Sequence, residues 1–187
     1  MPHANELTPG TPPNLVLVGF MGSGKTATGK LAAKALGFQF LDTDQLIVDR
    51  ARRQIPDIFA SEGEAYFREL ETGVIVSLGH LRRCVIATGG GAVLSGENRR
   101  LLRALGFVVC LKAREEVLFE RVSRNEKRPL LQTENPLQTL RDLLAKRAEA
   151  YAEAAHWSLD TSDMGHPAVV DAVVSAVRDA FAWNKKT

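Results

Sequence analysis

The sequence predicts an α/β protein in which a parallel sheet carries helices on both faces. Three observations lead there. Short apolar runs, such as Asn14–Gly19, alternate with longer segments whose apolar residues recur at helical spacing. Strands that alternate with helices join as parallel crossovers, and the crossing helices cover both faces of the sheet. The first apolar run leads through a glycine-rich turn into a helix, a local order suited to holding an anion at the helix start.

Each element follows from its own residues. Residues 1–13 carry Pro2, Pro9, Pro12 and Pro13 and no Lys or Arg, and read as a flexible tail. Asn14–Gly19 is a strand buried on both faces. A helix runs from about Lys25 to Leu36 and stops near Gly37. Phe38–Asp42 is a second strand. Residues 44–53 and 57–81 read as helices with a break near Pro56. Phe67, Leu70, Val74, Leu78 and Leu81 give the second of these one apolar face. Cys84–Ala87 is a third strand and runs into Gly89-Gly90-Gly91. A helix near 96–105, a strand Phe107–Leu111 and a helix from about 114 to 124 follow. Residues 125–135 are polar, contain Pro129 and read as a loop. A helix from about Pro136 to Ala155, a short strand ending near Leu159 and a helix from about Pro167 to Trp183 complete the chain.

The chain has 187 residues, 45% apolar and 25% charged, enough for one domain with a real core. A formal charge of +2 is too small to argue for a nucleic-acid partner. Its basic residues are 16 Arg and 8 Lys, a bias towards the side chain that grips planar anions in fixed geometry. No apolar run approaches the ~18 residues of a membrane span, and the N-terminus lacks the basic start and apolar stretch of a signal peptide. Cys84 and Cys110 lie in strand-like runs and read as buried thiols of a cytoplasmic protein. His3, His80, His156 and His166 show no metal-ligand spacing and read as structural or exposed. Nothing marks a dimer surface, so a monomer is the default expectation.

Ligands of such sheets bind at the carboxyl ends of the strands. One rim therefore collects Gly19–Thr26, Asp42–Asp44, Thr88–Gly91 and the loop after residue 111. Gly19-Phe-Met-Gly-Ser-Gly-Lys-Thr26 fits the P-loop pattern GxxxxGK(S/T). With glycine at roughly 7% of residues, a chance match in a chain this long is on the order of 1%. The backbone N–H groups of Gly22, Ser23, Gly24, Lys25, Thr26 and Ala27 are the expected phosphate ligands at this helix start. Lys25 would reach the β- and γ-phosphates of ATP, and the Thr26 hydroxyl would hold Mg²⁺.

Asp42 and Asp44 stand two apart in an extended segment and point to one side. One division of labour puts Asp42 near Mg²⁺ through water and Asp44 on a substrate hydroxyl. The plainer alternative has Asp44 capping the next helix. Gly89, Gly90 and Gly91 let the backbone approach a ligand closely and offer N–H donors. On the helix after Pro136, Leu137, Leu140, Leu144, Arg147 and Tyr151 share a face, and an Arg on an apolar face needs an anion. Arg68, with Glu64 and Glu71 in helical reach, reads from spacing alone as a surface ion pair worth a few tenths of a kcal/mol. Arg121, Arg124, Lys127 and Arg128 gather around the polar loop on the phosphate rim, where a basic loop that closes would exclude water.

The ordered set GFMGSGKT, LDTD, IFASEGEAYFRELE, TGGGAV, RPLL and KRAEAY resembles the shikimate kinase family, from about Leu15 to Phe181. The resemblance implies a P-loop three-layer α/β/α fold of the nucleoside monophosphate kinase type, with a five-stranded parallel sheet ordered 2-3-1-4-5. It implies one domain over 14–184, with substrate-binding helices at about 44–81 and a lid at about 121–136. It further implies MgATP-dependent phosphorylation of the 3-hydroxyl of shikimate. By the same resemblance Asp44 holds the ring hydroxyls and serves as base, and Arg68 and Arg147 grip the carboxylate. Gly89, Gly90 and Gly91 line the substrate and γ-phosphate site, and Arg128 sits in the lid over the phosphates. Arg121 or Arg124 approaches the nucleotide, and Pro167 lies near the adenine. The chain departs from the family at Val48, often Glu, and at Arg52, near a position often Gly. Both lie on the substrate-domain helices rather than among the contact residues. Two alternatives compete: another small-molecule kinase of this fold, such as a gluconate kinase, and a nucleotide-binding module without catalysis.

Overall fold

A computed structural model describes residues 13–123 and 134–181. The expected tail apart from Pro13, and Arg124, Lys127 and Arg128 of the expected lid, lie outside the described residues. Five parallel strands form one sheet in the order β2-β3-β1-β4-β5, with β1 Asn14–Val18, β2 Gln39–Asp42, β3 Cys84–Ala87, β4 Gly106–Lys112 and β5 Trp157–Asp160. The helices are α1 Lys25–Leu36, α2 Thr43–Ala51, α3 Ile55–Ser77, α4 Gly96–Leu105, α5 Glu115–Ser123, α6 Pro136–Ala154 and α7 His166–Ala180. This is the predicted fold class.

The alternation of side chains along β1 sorts the core into two layers. Val16 and Val18 pack with Ile75, Leu102, Leu118, Leu140 and Tyr151 on one face. Leu15 and Leu17 pack with Ala32, Leu36, Val169 and Val173 on the other. All of β1 is buried, which explains its unbroken apolar run. Asn14 is the polar exception. Its Nδ2 donates to Leu81 O and Leu105 O, both at 2.9 Å, and its Oδ1 accepts from the Cys84 amide at 3.0 Å. One side chain thus ties the start of β1 to the chain entering both neighbouring strands. A smaller cluster of Ile47, Ile58, Phe67 and Val74 joins α2 to α3.

The expected break near Pro56 is present: α2 ends at Ala51 and α3 begins at Ile55, with Pro56 in its first turn, where the missing N–H costs nothing. Other details of local structure differ from expectation. A further interruption falls at Gly63, whose φ of 82° and ψ of −178° break α3 in a conformation open only to glycine. The same helix ends at Ser77 rather than 81. Leu78 and Leu81 follow it in tight turns, Leu78 N–H donating to Ile75 O and Leu81 N–H to Leu78 O. A 3-10 turn over Ala92–Leu94 after the triple glycine was not expected.

Arg52 caps α2 in the left-handed region, at φ 55°. A side chain there crowds the following carbonyl, and glycine would not. Arg52→Gly is expected to stabilise the protein by roughly 0.5–1 kcal/mol, seen as a higher urea midpoint at unchanged slope. An unchanged or lower midpoint would show that the Arg side chain offsets the strain.

Candidate active site

The C-terminal ends of β1, β2 and β3 deliver the three motifs to one rim. After β1 the chain turns through Gly22 (φ 79°) and Gly24 (φ 92°), left-handed positions that a side chain would strain. Gly24 is the N-cap of α1 and has no side-chain cap, so the first amides of the helix stay open to an anion. Lys25 Nζ donates to Gly19 O at 2.8 Å and Phe20 O at 3.0 Å, folding back over the loop. Ser23 Oγ is buried without a partner among the described residues, an orphan inside the phosphate cradle.

Beside this loop lies a cavity of about 420 Å³ lined by Gly22, Ser23, Gly24, Ala27, Arg121 and His166, among others. That volume suits a small ligand. Arg121 spans its edge, donating to Gly22 O at 3.5 Å and to Thr161 Oγ1 at 3.4 Å. The facing segment is fixed by a bidentate Arg114–Asp163 pair, both contacts 2.6 Å. Pro167 is in the first turn of α7 but is not among the lining residues, whereas His166 and Val169 are. His166 had no part in the expected site.

Asp42 ends β2 and holds Thr26, the other residue expected near Mg²⁺, together with the Asp44 amide. Thr26 Oγ1 donates to its Oδ2 at 3.0 Å, and the Asp44 amide donates to its Oδ1 at 3.1 Å. Asp42 is therefore the N-cap of α2, leaving the Asp44 carboxylate free of the capping role that spacing allowed it. These groups fit a Mg²⁺ carried by a nucleotide: all donors are hard oxygens, and such ions keep few protein ligands. Among the described residues no cluster of three or more His, Cys, Asp or Glu could hold a metal without one.

Asp44 is half-buried, and burial pushes its carboxyl above the ordinary range. The charge of Asp42 adds to that, and Lys25 and Arg68 partly offset it. Asp44 also lines a second cavity of about 650 Å³ with Thr26, Asp42, Val48 and Ile55. Val48 thus faces the space beside Asp44, closer to the site than its helix position implied.

The triple glycine is crowded by the protein's own side chains. None of Gly89, Gly90 and Gly91 is in the left-handed region. A Cβ on Gly89 would stand 2.5 Å from Asp44 Oδ1, and one on Gly91 2.6 Å from Arg68 Nη1. The missing side chains make room for the protein's own charged groups.

Arg68 donates from Nε and Nη2 to Glu64 Oε1, at 3.2 and 2.9 Å, and from Nη1 to Glu71 Oε2 at 2.8 Å. The Glu64 contact is the exposed pair that spacing predicts. Glu71 is different: it is 1% exposed, and its Oε1 has no partner among the described residues. Burial pushes the Glu71 carboxyl up despite the hydrogen bond and charge of Arg68. Sequence reasoning missed Glu71 as a site residue. The signal was present in the apolar face of Phe67, Leu70 and Val74, between which Glu71 falls. From α6, Arg147 reaches Gly90 O at 3.4 Å and lies 5.6 Å over the Phe20 ring.

Fold and site together define a P-loop kinase with a second, Arg- and Asp-lined site beside the phosphate cradle. The family model for shikimate kinase matches residues 21–178. The chain is 44% identical over 161 residues to the shikimate kinase of Thermodesulfovibrio yellowstonii, covering 86% of this chain and 92% of that one. A shikimate kinase from Acinetobacter baumannii, solved in complex with shikimate, superposes with a TM-score of 0.82 at 41% identity, over 93% of this chain and 96% of that one. A gluconokinase from Sinorhizobium meliloti shares the fold alone, at TM-score 0.59 and 19% identity, over 92% and 95% of the two chains. The chain belongs to the shikimate kinase family.

Proposed function

We propose that this kinase transfers the γ-phosphoryl group of ATP to the 3-hydroxyl of shikimate, giving shikimate 3-phosphate and ADP. The observation that carries the reading is the convergence of Asp44, Arg68 and the triple glycine beside the phosphate cradle. Phosphoryl transfer leaves a protein little covalent work, so positioning and charge stabilisation dominate.

The open amides of Gly22 to Ala27 and the Ser23 hydroxyl hold the phosphates. Lys25 leaves its loop carbonyls to neutralise charge on the transferred group. Arg121 lies against the nucleotide. Arg124 and Arg128 are proposed for the lid, and Pro167 for the adenine side. Thr26, and Asp42 through water, hold Mg²⁺, which supplies charge neutralisation between the phosphates when bound. Arg68 and Arg147 grip the substrate carboxylate, with Glu71 holding Arg68 in place. Asp44 orients the reacting hydroxyl and takes its proton as the oxygen bonds to phosphorus and the bridging oxygen leaves with ADP. We also propose 14–184 as a single kinase domain, with substrate helices at about 44–81 and a lid at about 121–136, working as a cytoplasmic monomer. The buried thiols Cys84 and Cys110 suit a reducing compartment.

The test is ADP release from MgATP with shikimate, gluconate or a nucleoside monophosphate as acceptor. Strong stimulation by shikimate alone is expected. Stimulation by another acceptor would keep the phosphate site and discard the acid site. Arg68→Ala is expected to raise the KM for shikimate at least about tenfold while leaving nucleotide affinity within about twofold, because a charge-assisted carboxylate contact is lost. Equal loss of nucleotide binding in titration calorimetry would overturn its role.

A further inference from the structure

Tyr151 lies one turn beyond Arg147 on α6 and has no part in the proposed chemistry. Its ring is buried in the core, and the residue is 5% exposed. Its hydroxyl donates to Gly90 O at 2.6 Å. Arg147 Nη1 donates to the same carbonyl at 3.4 Å, a much weaker contact. Among the described residues these are the two side chains that donate to this oxygen. Burial holds the phenol pKa up to about 12, so the hydroxyl remains a donor across the working pH range. Gly90 itself lies between the two sites: a Cβ there would be in ordinary contact with Met21 N at 3.5 Å and Arg147 Nη1 at 3.8 Å.

The competition for one acceptor has a consequence. A partly buried carbonyl needs a donor. The short phenol bond, from a ring locked by packing, satisfies it. The guanidinium of Arg147 is then only grazed by the carbonyl, approaches the phenol oxygen of Tyr151, and keeps its other N–H groups for an anion. Without the hydroxyl, the flexible Arg side chain is the donor at hand and would be drawn onto Gly90 O. We propose that Tyr151 is a positioning residue that keeps Arg147 available to the substrate carboxylate by occupying the Gly90 carbonyl in its place.

The proposal rests on the reading of Arg147 as a carboxylate-binding residue, and the test separates the two. Steady-state kinetics would be compared for the full chain, Tyr151→Phe, Arg147→Lys and the double variant, with shikimate and ATP varied in turn. Phenylalanine keeps the ring in the core and removes the hydroxyl, both the donor to Gly90 O and the oxygen that Arg147 approaches. Tyr151→Phe is expected to raise the KM for shikimate about tenfold, with kcat and the KM for ATP within about twofold. In the Arg147→Lys background the same change is expected to add less than about twofold, because its target is gone. An unchanged shikimate KM in Tyr151→Phe would overturn the proposal. So would an equal rise in both KM values, the mark of general loosening, or a full tenfold effect retained in the double variant. An Arg147→Lys protein with ordinary shikimate KM would overturn the carboxylate reading itself, and the Tyr151 proposal with it.

Discussion

Lys25→Ala is expected to lower kcat about a thousandfold, on the order of 4 kcal/mol of lost transition-state stabilisation. Charge develops on the transferred group only as the phosphoryl moves, so the ammonium contributes most there and less to ground-state binding. Its bonds to Gly19 O and Phe20 O, at 2.8 and 3.0 Å, show how it rests: held over the loop by two carbonyls that a phosphate would replace. Gly19 and Phe20 are buried, so leaving their carbonyls without this donor also costs fold stability, and the thermal midpoint should fall by a few degrees. Lys25→Arg should recover little, because the planar guanidinium cannot reproduce a point charge at that distance. Turnover of the alanine variant within about tenfold of the parent, measured by ADP release, would remove Lys25 from the reaction.

Asp44→Asn is expected to combine a large loss of activity with a gain in stability. The loss, about a thousandfold in kcat, follows from removing the group we propose takes the hydroxyl proton. The gain follows from the environment. Burial, and then the charge of Asp42, raise the Asp44 carboxyl above its ordinary value of 3.8. Between that value and the raised one, the folded state binds a proton that the unfolded chain has released. Stability therefore falls as pH rises through that window, and at neutral pH the ionised carboxylate is a net cost to the fold. The amide removes the charge and keeps the shape, so the urea midpoint at pH 7 should rise, by on the order of 1 kcal/mol. At a pH below the ordinary carboxylate value the difference should vanish. An Asn variant less stable than the parent at pH 7 would show that Lys25 and Arg68 outweigh the burial. The same raised value sets the acid limb of kcat/KM, which should lie above the ordinary aspartate range in the parent.

Which parts could be read in advance depended on how local the cause was. The phosphate loop is a strand, a turn and a helix start within thirteen residues, Asn14 to Thr26, and its glycines state their own φ requirement. The three central strands were likewise visible as apolar runs, whereas β2 and β5, at the sheet edges, are half polar. The break before α3 was legible from Pro56, which settles in the first turn of that helix. The kink at Gly63 was not, because a lone glycine inside a helical pattern does not state its own φ. Arg68 looked like a surface pair because spacing along a helix says nothing about what faces it. The resemblance to a family, not the spacing, moved it to the site.

Local pattern therefore established the fold class, the phosphate cradle and the order of the motifs, since each rests on backbone geometry or periodicity within a few turns of chain. Contacts between distant segments lay beyond it. The three glycines that clear space for Asp44 and Arg68, Arg121 across the cavity beside the phosphate loop, and Tyr151 on Gly90 O each join residues from different parts of the chain. Burial, the shift of a carboxyl's proton affinity and the choice between two donors for one carbonyl all arise from what surrounds a group in space, which is settled only when the helices pack on the sheet.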